Sequence, residues 1–128
     1  MQSDIIKFDI FEDSPATILA RVVALDDGDP IQQADLTSIT CAIFDTLDTE
    51  TVLSTPTLVV ANVIFDTLQT SNSRWTEDTT GYNFDFTIPA SSFPSGDRIY
   101  RAEFKFTDTG SSVTWVIAEI HTIPVFTS

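Results

Sequence analysis

In 128 positions the chain has one cysteine, one histidine, four glycines and six basic residues. Each scarcity excludes something. Cys41 is alone, so no intrachain disulfide forms, and one cysteine with one histidine cannot build a four-ligand structural zinc site. Any Ser-His-Asp or Cys-His device would have to use His121. Four glycines leave no long Gly-rich loop, and a chain this short leaves little to build a cleft. The apolar runs are short and broken by Asp, Thr or Arg, well below the roughly 20 residues of a membrane helix. The opening MQSDIIKFDIFEDSP has acids in place of a basic n-region, and the sequence contains no Asn-x-Ser/Thr sequon. The expectation is synthesis in a reducing cytosol without a classical export signal.

Basic charge is the other shortage. Six Lys and Arg face nineteen Asp and Glu, a formal charge of −13. Such a surface repels nucleic acid, whose binding depends on cations replacing counterions. It equally disfavours anionic membranes. The acidity reads first as a solubility device, and second as a face matched to a basic partner.

Hydrophobic residues, by contrast, make up 42%, with ten Phe, which excludes disorder. The length suits one domain, residues 1–128. Tyr82, Phe84, Phe86 and Ile88 alternate with Asn83, Asp85 and Thr87. Tyr100, Ala102, Phe104 and Phe106 alternate with Arg101, Glu103 and Lys105. Side chains in a strand change face with period two, so each run is a strand with one aromatic and one polar face. Such strands belong to an antiparallel sheet, packed on one side and wet on the other.

Five further strands are expected. Residues 4–11 place Ile6, Phe8 and Ile10 together, and Pro15 ends the run. Residues 16–25 place Leu19, Val23 and Leu25 on one side. The turn Asp26-Asp27-Gly28-Asp29-Pro30 follows. Residues 37–45 turn Ile39, Cys41 and Ile43 inward. Residues 51–61 suggest a strand interrupted at Pro56, and 62–81 are irregular, with room for a helical turn. After a hairpin loop at Asp108-Thr109-Gly110-Ser111, residues 112–123 form a last strand, apolar on both faces around Trp115 and Val116 and so expected to be covered on both. Nineteen Thr and two Lys support the β reading. The expected fold is all-β: an antiparallel, immunoglobulin-like β-sandwich of about seven strands, of Greek-key type.

No constellation announces a chemistry. His121 shares a face with Glu119 and reads as an ordinary strand residue near a sheet edge. Cys41 reads as a buried, inert thiol. Asp26, Asp27 and Asp29 lack the spacing of a hand-type calcium loop, and turn chemistry explains them. Carboxylates are numerous, but no site gathers them, so the chain is expected to be no enzyme, with no metal and no cofactor. Arg98, Arg101 and Lys105 hold half of the basic charge in one strand. They read as cross-strand partners of acids such as Asp85, or as a basic docking stripe. Trp75 reads as a cap on the sandwich or as an aromatic anchor. Ile5 and Phe11 point away from Ile6, Phe8 and Ile10, as Trp115 points away from Val116. Residues 1–14 therefore read as a docking strand or arm. The candidate partner interface is Ile5, Phe11, Trp75, Arg101, Lys105 and Trp115.

The order of these features resembles the immunoglobulin-like modules of tailed-phage virion proteins. Ile18 to Leu25 leads to Asp27-Gly28-Asp29-Pro30-Ile31. Then Ala34-Asp35-Leu36-Thr37 enters Ile39 to Asp45. Gly81-Tyr82 opens a strand ending at Ile88-Pro89, Phe93-Pro94-Ser95-Gly96 precedes Tyr100 to Phe104, and a Thr-Asp-Thr-Gly turn opens the last strand. The closest family in this respect is the N-terminal domain of the phage baseplate upper protein, over residues 15–120. The resemblance implies a virion protein of a tail, baseplate or neck. Its partners would be other virion proteins, in a homo-oligomer or multi-copy assembly, with no nucleic acid and no membrane. A capsid decoration protein is the nearest alternative. A carbohydrate-binding or cell-surface adhesion domain, using Trp75 or Trp115 as a sugar platform, is the alternative of another class.

Overall fold

The computed structural model describes residues 5–23, 28–48, 51–75 and 78–126. Seven strands form two sheets: β1 Ile6–Phe11, β2 Ala16–Ala20, β3 Leu36–Asp45, β4 Ile64–Gln69, β5 Tyr82–Ile88, β6 Arg98–Asp108 and β7 Val113–Ile123. One sheet has the order β1-β7-β6-β3 and the other β2-β5-β4. The chain crosses between sheets at β1–β2, β2–β3, β3–β4 and β5–β6, and makes hairpins at β4–β5 and β6–β7. This is the strand order of an immunoglobulin-like sandwich with its first strand moved to the second sheet. That first strand pairs in parallel with β7, so the sandwich is antiparallel except at this one ladder.

The core is the inner face of both sheets. Phe84 on β5 meets Phe104 and Phe106 on β6 edge-on, with ring centroids 5.2 and 5.0 Å apart. These T-shaped contacts suit the quadrupoles of the rings and tie one sheet to the other. Ile39, Cys41 and Ile43 join them from β3, and Val116, Ala118 and Ile120 from β7. Phe93 lies in the connection before β6 and is buried against Tyr100, 5.3 Å between centroids. The Tyr100 hydroxyl accepts a hydrogen bond from Ser95 N and lies 3.5 Å from Ser95 O. A tyrosine at the start of this strand, bonded back to upstream backbone, is a mark of the immunoglobulin fold. Ala102, two residues on, stands where such domains carry a disulfide cysteine.

The hairpin at residues 108–111 forms as its turn residues predict. Asp108 Oδ1 accepts from Gly110 N and Ser112 N at 2.9 and 2.8 Å. Ile6, Phe8 and Ile10 pack inward as expected. Residues 6–11 thus serve the chain's own sheet.

Five expectations are corrected. In β2 the inward residues are Ala16, Ile18 and Ala20, followed by Val22; Leu19 and Val23 take the other side, and Leu25 lies outside the described residues. Ile18 must face inward because it is the register partner of the inward Phe86. Residues 51–59 form no regular strand but run beside β3 through isolated bridges at Ser54 and Thr57, since Pro56 cannot donate to a ladder. A single helical turn, Val60–Val63, follows, and β4 forms where irregular chain was expected. Trp115 is uncovered, with 46% of its surface exposed.

The fifth correction is Asn83. Alternation places it in water, yet it is fully buried. Its side-chain Oδ1 accepts from Val22 N at 2.7 Å, and its Nδ2 donates to Val22 O and Ile31 O, each at 2.9 Å. The cause is a register shift: Gln69 pairs with Tyr82 while Ile64 pairs with Phe84, so β4 carries extra residues against β5. Tyr82 packs instead against Phe65 and Trp75. Gly81 has φ of 108°, and a Cβ there would collide with the backbone of Gln69. Only glycine fits.

Candidate interaction surface

The outer face of the β1-β7-β6-β3 sheet gathers most of the expected interface. On β7 the outward residues are Trp115, Ile117, Glu119, His121 and Ile123; on β6 they are Lys105, Glu103, Arg101 and Ile99. From β1 come Lys7, Asp9 and Phe11, and from β3 Thr40, Ala42 and Phe44. The register sets them in rows: Thr40, Lys105 and Trp115; then Ala42, Glu103 and Ile117; then Phe44, Arg101, Glu119 and Lys7. Ile5 precedes β1 at the position that faces the same way. Of the six candidates, Ile5, Phe11, Arg101, Lys105 and Trp115 therefore share one face, and Trp75 does not.

This face is apolar at its ends and charged in its middle. Phe11 is 58% exposed, Ile99 47%, Trp115 46% and Ile123 36%. Scattered exposed apolar residues are ordinary; these four stand on one sheet face, Trp115 at one end and Phe11, Ile99 and Ile123 at the other. The charges pair with each other. Arg101 Nε lies 2.8 Å from Glu103 Oε2, and its Nη1 lies 3.8 Å from Glu119, which also meets Lys7 at 3.9 Å. The expected partner Asp85 lies on the other sheet, opposite Leu19, so Arg101 pairs within its own sheet. Lys105 Nζ sits 6.0 Å from the centre of the Trp115 ring, at the outer limit of a cation–π contact. Between Trp115 and the segment Thr55–Leu58 a groove of about 470 Å³ opens, floored by Thr40, Ala42, Glu103 and Lys105.

Trp75 serves its own fold. Its ring lies 5.6 Å from that of Tyr82, and its indole N–H donates to Asp78 O at 3.0 Å. Asp78 is the hub of this corner. Arg21 Nη2 meets its Oδ2 at 2.8 Å, and Thr80 N and Gly81 N donate to its Oδ1 at 3.0 Å. The Arg21 guanidinium, then the Gly81 amide, hold this carboxyl well below the usual carboxylate range. A lowered folded-state pKa gives stability that is present above the unfolded value near pH 4 and is lost as pH falls through the folded one. Arg21→Ala should therefore lower the melting temperature at pH 7, and the gap to the parent should narrow as the pH is taken from 4 down to 2. A gap that stays constant over that range would remove Asp78 as its cause. Asp85 runs the other way: burial raises its pKa against the pull of Arg74, so its contribution declines as pH rises through that raised value. A second groove, about 860 Å³, lies between β1 and β2 and brings Trp75 and Ile5 to one rim.

The other candidates for chemistry are Cys41 and His121. Cys41 is buried, and desolvation pushes its thiol up to about 12, so no thiolate nucleophile exists near neutral pH. His121 is on β7, an interior strand flanked by β1 and β6, and not at a sheet edge. It lies 3.5 Å from Asp9 and 3.9 Å from Asp97. Among the described residues no three His, Cys, Asp or Glu side chains gather to hold a metal. Asp26 and Asp27 of the acidic turn lie outside the described residues.

Neither family models, nor curated proteins, nor solved structures give a match to this chain. Its function is therefore read from its own surfaces. Sequence reasoning missed Ile99, Ile117 and Ile123 as outward residues of the same face. Their signal was the β6 and β7 alternation, continued past the aromatic core of each strand.

Proposed function

We propose that the chain is a non-catalytic assembly module of a tailed-phage particle, in its tail, baseplate or neck, where protein–protein contacts hold it among other virion proteins. A capsid decoration role is the nearest variant of this reading. One observation carries the docking part: the outer face of the four-stranded sheet exposes Trp115, Ile99, Ile123 and Phe11 together. Exposed aromatics on a flat sheet face suit burial by a neighbour, and Trp is the residue most often dominant in such contacts. The phage part is supported by the order of sequence features, from the Asp-Gly-Asp-Pro turn to the Gly-Tyr and Thr-Asp-Thr-Gly segments. Mass spectrometry of purified virions from the source tests it. The chain should appear at a fixed, multi-copy ratio to the major tail protein, and its absence from intact particles would refute the virion role.

A second reading has its own observation. The groove beside Trp115 carries Thr55, Thr57, Glu103 and Lys105 around an exposed aromatic ring, a combination that suits stacking on a sugar. Retention of the purified protein on a glycan array, lost in Trp115→Ala, would favour it over assembly.

A further inference from the structure

We propose that the outer face of the four-stranded sheet binds the same face of a second copy, about a two-fold axis that runs along the strands between β6 and β7. The proposal rests on the assembly reading only in taking this face as a docking surface, and it names the occupant.

Charge selects a second copy. The chain carries −13, so two copies repel over most of their surface. On this face Lys7, Arg101 and Lys105 balance Asp9, Glu103 and Glu119, with His121 beside them. Half of all basic residues in the chain thus lie on one neutral face, while the rest of the surface is acidic. It is the place where two such chains can approach without a Coulomb penalty. The size also fits. Strands of up to eleven residues, at about 3.4 Å rise and about 4.8 Å spacing, give a footprint of roughly 600 Å². A standard interface buries about 800 Å² on each partner.

Symmetry then selects the axis. A two-fold along the strands sets each row against itself with the strand order reversed. β7 lies over β6 of the partner, and β1 over β3. Glu119 then faces Arg101 of the partner subunit, and the relation is reciprocal, next to the axis. Trp115 faces Lys105 of the partner subunit, and Ile5 faces the small Ala42 of the partner subunit. An axis across the strands through this same row would instead place Glu119 on the partner's Glu119 and Arg101 on the partner's Arg101. Like charges at a desolvated centre cost several kcal/mol, so the first arrangement wins. Sheet twist rotates the two faces by about 30° and leaves the rows at the axis in contact.

Two charge reversals test this by sedimentation equilibrium. The parent protein is expected to sediment as two 14.1 kDa chains. Arg101→Glu and Glu119→Arg should each be monomeric, with association weakened at least about 100-fold, because each sets like charges across the axis. An equimolar mixture of the two should recover the dimer, since the acid introduced at 101 meets the base introduced at 119. Unfolded chains cannot give that recovery. Should either variant lose its strand signature by circular dichroism, Trp115→Glu replaces it and is expected to be a folded monomer. A monomeric parent, dimeric single variants or a mixture that stays monomeric each overturns the proposal. The virion measurement above is independent: a chain present in particles but monomeric in solution keeps the assembly reading and removes the dimer.

Discussion

Asn83→Ala should lower stability by about 2–5 kcal/mol, the cost of leaving buried backbone groups without partners. The Asn83 side chain satisfies an N–H and a carbonyl of Val22 and a carbonyl of Ile31. It thereby fixes the chain on both sides of the acidic turn that links Val22 to Ile31, which also bond directly through Ile31 N and Val22 O at 2.9 Å. Asn83 is fully buried, so the alanine variant strands Val22 N and Ile31 O and leaves Val22 O with Ile31 N alone. Thr87 on the same strand is exposed, and Thr87→Ala should change stability by less than about 0.5 kcal/mol. Denaturant melts of the two variants check the contrast. A loss at Asn83 below about 1 kcal/mol would mean that the turn finds other partners.

The second large effect lies in the aromatic core. Phe104→Ala is expected to cost about 3–5 kcal/mol, a large share of the 5–15 kcal/mol that holds a typical domain. Phe104 is fully buried and meets both Phe84 and Phe86, at 5.2 and 6.1 Å. Its deletion opens a cavity between the sheets that neither can collapse to fill. Glu103→Ala, one residue away on the outer face, removes a partly exposed ion pair with Arg101 and should cost less than about 1 kcal/mol. If denaturant melts rank the two in reverse, the register of β6 is wrong by one residue and every side chain on it changes face.

The strands that were legible in the sequence are those whose two faces differ in chemistry. From Tyr100 to Phe106 of β6 the core and charged phases do not mix, so the register of that stretch follows from composition alone. In β2 both phases are apolar, and the larger residues Leu19 and Val23 suggested the wrong one. The structure turns Ala16, Ile18 and Ala20 inward, opposite Ile88, Phe86 and Phe84 of β5. β4 is a short edge strand with one buried residue, Ile64, which is too little pattern to read. Asn83 failed for a different reason: a bulge in the partner strand is a tertiary event, and alternation assumes there is none. A residue with low strand propensity in the middle of an aromatic strand was the available warning.

The candidate interface was legible in a similar way. Alternation placed Arg101, Lys105 and Trp115 opposite the core, and that placement needs only the pleat. The parallel pairing of β1 with β7 could not be read locally, because the two segments sit at opposite ends of the sequence. That pairing adds Lys7 and Phe11 to the same face. Within the expected strand or arm of residues 1–14, Ile6–Phe11 form the edge strand of the four-stranded sheet. Trp75, which sequence reads first as a cap and second as an anchor, spends its ring on Tyr82 and its N–H on Asp78.

Particles assembled with a Trp115→Glu chain in place of the parent test the docking face most directly. Trp115 is already half in water, so the isolated variant should melt at the parent temperature. Mass spectrometry of the purified particles should show its copy number reduced at least about tenfold, the effect of losing an exposed aromatic anchor. Incorporation at the parent copy number, with the fold intact, would contradict docking through this face.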